Sequence, residues 1–309
     1  MAEQHADSIN GNTDASLQRV EARPSVVGGI TLRRALPAHG LRTVGAWCFL
    51  DHAGPAQFEP GQGMHVGQHP HIGLQTFTWM IEGELLHRDS LGHEQVIRAG
   101  QVNLMTAGHG IVHSEDAVVD GGRLHAAQMW IALPDTERNR APAFEHYPTL
   151  PIIEREGLTI TVLVGNALGA SSPVEVFSPL VGLDLVTTSA VQTSLPLEPG
   201  FEHAVLVLRG AAAVAGEALM PGTLLKLDRG RSALDLHCSA DTQMLVLGGE
   251  PFASPPLLWW NFVARTQLEL EQALADWNAG DARFAAVPGA NSPRLVAPTL
   301  AGLKLKAGS

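Results

Sequence analysis

The chain has 309 residues, a formal net charge of −11, and 45% hydrophobic and 17% charged residues. That length leaves room for two domains with separate cores. The acidic balance, with no basic run longer than Arg33-Arg34, argues against direct nucleic-acid binding, which draws its affinity from basic side chains on phosphates. No stretch approaches the ~20 apolar residues of a membrane span. Residues 1–18 lack a basic region followed by an apolar one, so the expected compartment is the cytoplasm. Cys48 and Cys238 stand far apart and read as two reduced, buried thiols and not as a disulfide.

Residues 1–25 are polar and poor in bulky apolar side chains, so they read as a flexible tail, with regular structure starting near Val26. From there to residue 170, short strands alternate with turns. Thr76-Phe77-Thr78-Trp79-Met80-Ile81 alternates polar and apolar and stops at Glu82-Gly83. Strands over 85–88, 95–98 and 102–105 follow, closed by Ser90-Leu91-Gly92-His93, Ala99-Gly100 and Thr106-Ala107-Gly108-His109-Gly110. Turns at such close spacing predict an all-β barrel or sandwich and not βαβ units.

A second pass of the same kind spans 179–249, with Arg209-Gly210 and Pro221-Gly222 placed like Glu82-Gly83 and Ala99-Gly100. This weak internal repeat predicts two barrels of one type, joined through 165–173. The expected organisation is a tail over 1–25, a metal-binding barrel over 26–170, a metal-free barrel plus helix over 171–285, and a tail over 286–309. The helix is announced by Thr266 and Glu269 as a capping box. Leu270, Ala273, Leu274 and Trp277 lie on one face, and Gly280 is the stop. That face is expected to pack on a barrel.

Nine of the fourteen histidines lie between positions 52 and 125, and only His203 and His237 fall after residue 150. Within the rich half, His69-Pro70-His71 and His113-Ser114-Glu115 each place two polar donors two residues apart. On a strand such residues face the same side. Two neighbouring strands of this kind bring three imidazoles and one carboxylate to a point inside a barrel. Burying that set without a cation is costly. Three nitrogens and one oxygen suit one divalent transition metal: Fe, Mn, Ni, Cu or Zn. His87 and His93, at a strand end and a turn, read as solvated. His52, His65 and His109 carry weaker claims, and Gln128 and Trp130 are candidates for the pocket wall.

Three blocks now resemble a known family. They are Arg33-Arg34-Ala35-Leu36-Pro37 with Leu50-Asp51-His52-Ala53-Gly54-Pro55; His69-Pro70-His71-Ile72-Gly73 with His87-Arg88-Asp89-Ser90-Leu91-Gly92; and Met105-Thr106-Ala107-Gly108-His109-Gly110-Ile111-Val112-His113-Ser114-Glu115. The chain resembles the pirins, a branch of the cupin superfamily. The resemblance implies an all-β fold of two tandem cupin-type antiparallel barrels, a bicupin, with a C-terminal helix. It also implies a metal, commonly iron, in the first barrel only, held by His69, His71, His113 and Glu115. Some bacterial members open the flavonol quercetin with dioxygen, whereas others act through protein partners.

The expected function is therefore a quercetin 2,3-dioxygenase-type enzyme taking a small aromatic, flavonol-like substrate and dioxygen, with Glu115 as catalytic base. The alternative is a metal- or redox-dependent regulator acting through a protein partner. A metal-dependent isomerase or hydrolase is the weaker third reading. The sequence departs from the family at Gln75, where Glu is usual, and at Ile72 and Leu74. These departures bear on the substrate more than on the metal.

Overall fold

The computed structural model describes residues 16–118 and 121–306. Most of the expected tail, residues 1–15, lies outside the described residues. Its last part does not behave as a tail: Leu17–Glu21 forms a strand antiparallel to Thr223–Leu227. Regular structure thus starts earlier than Val26, because Leu17 and Val20, on opposite faces of the strand, each pack on one of the two large cores.

Two curled antiparallel sheets dominate, and the chain folds as a bicupin with one C-terminal helix. The larger sheet follows the order Ala143–Tyr147, Val102–Thr106, Leu74–Asp89, Arg123–Ala132, Trp47–Gln57, Ile30–Leu36, Arg23–Val27. His65–His71, Ile111–Ala117 and Glu94–Arg98 close it into a barrel along the long strand Leu74–Asp89. In the second half, a seven-stranded sheet is backed by a four-stranded one built from Val191–Pro196, Ala233–Cys238, Ala212–Val214 and Glu217–Leu219. Leucine and valine from both sheets fill the space between them, among them Leu185, Leu195, Val205, Leu225 and Leu236.

Strand pairing assigns Ile152–Arg155 and Leu158–Val164, expected in the first barrel, to the second sheet, where Leu158–Val164 pairs with Leu180–Thr187. The stretch read as a linker forms a small hairpin, Asn166–Ala167 with Ala170–Ser171. The two halves share a core in which Trp47 packs with Leu206, Leu224 and Leu247 and donates its indole N–H to the Gly248 carbonyl at 3.1 Å. Cys48 and Cys238 are free and buried. No helix among the described residues is long and apolar enough to cross a membrane.

The helix Gln267–Ala279 has the expected ends: Thr266 and Glu269 form the capping box, and Gly280 adopts φ 71° as the stop. It buries Leu270, Ala273 and Trp277. The cluster they join includes Ile72, Val112, Phe262 and Phe284. Ile72 and Val112 adjoin His71 and His113, so the helix braces the back of the first barrel and not the second. The segment after it is also tied to that barrel. Gln68 exchanges backbone bonds with Pro293 and Leu295, at 3.1 and 2.8 Å, and its side chain bonds Ser292 and Val287.

Candidate metal centre

Ile111–Ala117 lies between His65–His71 on one side and Leu74–Asp89 on the other. Residues directly opposite in such a ladder share a face. His113 is opposite His69 on one side and Asp89 on the other, and Glu115 is opposite His87. One extra residue between Val66 and His69 breaks the register there. This bulge redirects the chain and turns the Gly67 carbonyl onto His69 Nδ1 at 2.8 Å.

The ligand atoms of His69, His71 and His113 all lie within 4.8 Å of one another, and all three residues are buried. Each ring is held through Nδ1. His69 donates to Gly67, His71 donates to the Asn261 carbonyl at 3.0 Å, and His113 Nδ1 meets His87 Nδ1 at 3.4 Å. His87 Nε2 in turn faces an Asp89 oxygen at 3.2 Å. A carboxylate accepts only, so His87 carries its proton on Nε2 and offers a bare Nδ1 to His113. The consequence is that Nε2 of His71 and of His113, 3.1 Å apart, both present lone pairs. Both nitrogens are then free to ligate one cation, and the donor set fits a metal.

Burial holds His71 and His113 well below the ordinary imidazole value, helped by the neighbouring rings, and brings His69 down to about 4. The three rings are therefore neutral at neutral pH, the form that ligates metal. The Glu115 carboxyl is pushed up to about 7, first by burial and then by Asp116. A bound cation would reverse that push. Glu115 is buried and lines the same cavity, but its oxygens are not part of the three-histidine cluster.

The cavity measures about 420 Å³. Its wall is largely apolar, with Leu32, Phe49, Val66, Leu85 and Trp130. Phe49 and Trp130 stack at 3.9 Å. Arg34 meets Asp51 through two bonds of 2.8 and 2.6 Å, and Thr78 donates to Gln128 at 2.8 Å. Gln128 and Trp130 both line the cavity, as do Trp260, Asn261 and Leu295 from the C-terminal segment.

Other candidates fall elsewhere. His87 is buried and stacks on Phe144 at 4.3 Å, not solvated as its place near a turn suggested. His93 is exposed, as its place in a turn suggested, and its ring rests on Asp89. His109 lies outside this cavity and bonds the Arg140 carbonyl. His52 points away from the cavity and meets His125 at 2.8 Å. Gln75 is also out of reach of the imidazoles: its amide donates to Thr106 and to the Glu175 carbonyl. Sequence reasoning missed His87 and Asp89, although their spacing of two is the same signal that marked His113 and Glu115.

Two family models match the chain, one in each half. The pirin model matches residues 29–131 and the pirin C-terminal cupin model residues 182–285. A Pseudomonas aeruginosa protein named "Putative quercetin 2,3-dioxygenase" is 51% identical over 92% of this chain and 90% of its own. The chain belongs to the pirin family. A pirin-like protein of Caulobacter vibrioides is 40% identical, over 84% of this chain and 92% of that one. The crystal structure of a quercetin 2,3-dioxygenase from Acinetobacter baumannii superposes with a TM-score of 0.91 at 50% identity, covering 94% of this pirin and 97% of that chain.

Proposed function

We propose that this pirin is a metal-dependent quercetin 2,3-dioxygenase that opens a flavonol-type ring with dioxygen. The observation that carries the reading is the junction of a three-imidazole cluster with a largely apolar cavity of about 420 Å³. Glu115, two residues from His113, lines that cavity. The names of the relatives from Pseudomonas and Acinetobacter support the same substrate class.

His69, His71 and His113 would hold the ion, with Glu115 as fourth ligand. Iron is the first choice, and Mn, Ni, Cu and Zn suit the same donors. A bound divalent metal supplies Lewis acidity toward substrate oxygens and lowers the pKa of a ligated hydroxyl. Glu115, which lines the same cavity, would take that hydroxyl proton on a carboxylate oxygen. Trp130 and Phe49, stacked on each other, give the cavity wall aromatic surface for the rings of a polyphenol. Thr78 occupies the Gln128 carbonyl oxygen and so leaves the Gln128 amide N–H groups to donate to a substrate oxygen. Leu32, Val66 and Leu85 keep bulk water from the reacting ring.

The test is metal analysis of purified protein followed by oxygen uptake with quercetin. Metal-dependent uptake with loss of carbon monoxide is the expected result. No uptake with several flavonols, on protein loaded in turn with iron, manganese, nickel and copper, would overturn the enzyme reading in favour of a regulator.

A further inference from the structure

The three imidazoles are not supported alike. His69 and His71 rest on the neutral carbonyls of Gly67 and Asn261. His113 alone rests on a second imidazole, and that imidazole on a carboxylate. The line runs from Asp89 through His87 to His113, and all three side chains are buried. Strand register makes it: Asp89 is opposite His113, and His87 is two pairs along, opposite Glu115 and on the same face.

Both members of the support are firmly held. His87 stacks on Phe144 with the ring planes 13° apart. Asp89 accepts the Leu91 and His93 amides at 2.9 and 3.2 Å through Oδ1, while its Oδ2 faces both His87 and the His93 ring. The His93 ring also touches Asp89, at 3.0 Å. Arg88, between them on the strand, turns to Glu94 and Asp116 instead. No arginine or lysine forms an ion pair with Asp89 among the described residues.

We propose that His87 and Asp89 are positioning residues that fix His113 as an Nε2 ligand and set how strongly it donates to the metal. The inference rests on the reading that His69, His71 and His113 hold a metal. Asp89 fixes the His87 proton on Nε2, and His87 Nδ1 then fixes the His113 proton on Nδ1. The buried negative charge, passed through a polarisable ring, strengthens the lone pair that His113 offers at Nε2. Partners of this kind typically contribute about 10–100-fold in metal affinity.

Asp89→Asn keeps the Oδ1 bonds to Leu91 and His93 but turns an N–H toward His87. His87→Phe keeps the stack on Phe144 and removes the acceptor for His113. Both variants are expected to weaken zinc and iron(II) binding about 10–100-fold, measured by chelator competition, and to raise the iron(III)/iron(II) midpoint potential. His87→Asn, which restores an acceptor near Nδ1 without the link to Asp89, should fall between wild type and His87→Phe. Histidine nitrogen NMR of zinc-loaded wild-type protein gives a reading that needs no variant. It should find the His113 proton on Nδ1 and the His87 proton on Nε2. A wild type that binds neither zinc nor iron removes the metal site, and this inference with it. A wild type that binds metal while both variants keep its affinity and potential overturns the His87–Asp89 role alone. So does a His87 proton on Nδ1, which decides the matter if the variants do not fold.

Discussion

His71 donates its Nδ1 proton to the backbone carbonyl of Asn261, 190 positions later in the chain, at 3.0 Å. A metal ligand of the first barrel is thus oriented by the hairpin Leu257–Trp259 with Phe262–Ala264, which precedes the C-terminal helix. The same hairpin places Trp260 and Asn261 in the cavity wall. The C-terminal segment therefore helps to build the site and does not only close the fold.

That link makes Gly73 sensitive. Its φ is 69°, and a Cβ there would lie 2.1 Å from the Val263 carbonyl oxygen. The Val263 amide donates to Ile72, next to His71. Gly73→Ala is expected to cost on the order of 2 kcal/mol or more from backbone strain and the forced shift of the hairpin. It should also weaken metal binding, because the Asn261 carbonyl moves with Val263. Denaturant melts of the metal-free protein and a metal titration check the two effects separately.

The double change His69→Ala and His71→Ala should abolish metal binding and with it the metal-dependent part of stability. At a free metal concentration ~1000 times the dissociation constant, that part is about 4 kcal/mol. Thermal melts with and without metal should differ for the wild type and coincide for the double variant.

Glu115→Gln keeps the size and one oxygen donor of the side chain but removes the proton acceptor. Turnover with quercetin is expected to fall by around 10²–10⁴, while the three histidines retain metal. Steady-state rates set beside metal content distinguish this from loss of the ion. A fully active variant would show that Glu115 is not the base.

Asp184 gives a pH signature unrelated to metal. Burial pushes its carboxyl up to about 7, against the lowering pull of the Gln243 amide, which donates to both oxygens, and of Trp79 beside it. The folded state therefore holds a proton that the unfolded chain releases near pH 4. Its stabilising contribution is complete below that pH and is lost as pH rises through about 7. Asp184→Asn mimics the protonated form. It should leave stability near pH 4 unchanged and raise it at pH 8, on the order of 2 kcal/mol. Urea melts at the two pH values check it.

Much of this arrangement was legible in the sequence because it follows local periodicity. The spacing of two in His69-Pro70-His71 and His113-Ser114-Glu115 marked the cluster, and Thr266, Glu269 and Gly280 marked the helix ends. His87 was misread because the turn at 90–93 suggested solvent, whereas strand alternation carries it inward with Asp89. The partners of His71 and Gln68 were not legible at all. Asn261 and Pro293 lie about two hundred residues downstream, and no local pattern encodes a contact made through their carbonyls. The strand Leu17–Glu21 was missed because five residues of mixed polarity show their alternation only against the sheet they join. Glu115 was expected to complete the ligand set, yet its oxygens stand apart from the three nitrogens. Only the presence of a cation decides how the carboxylate settles.

The most direct measurement is anomalous diffraction from crystals of the purified protein, recorded on both sides of the iron edge and of the edge of any other metal found by elemental analysis. One peak per chain is expected, bounded by Nε2 of His69, His71 and His113 and reached by a Glu115 oxygen, with none inside residues 180–250. No peak at the three histidines in metal-replete protein, or a peak held by other residues, would contradict the account.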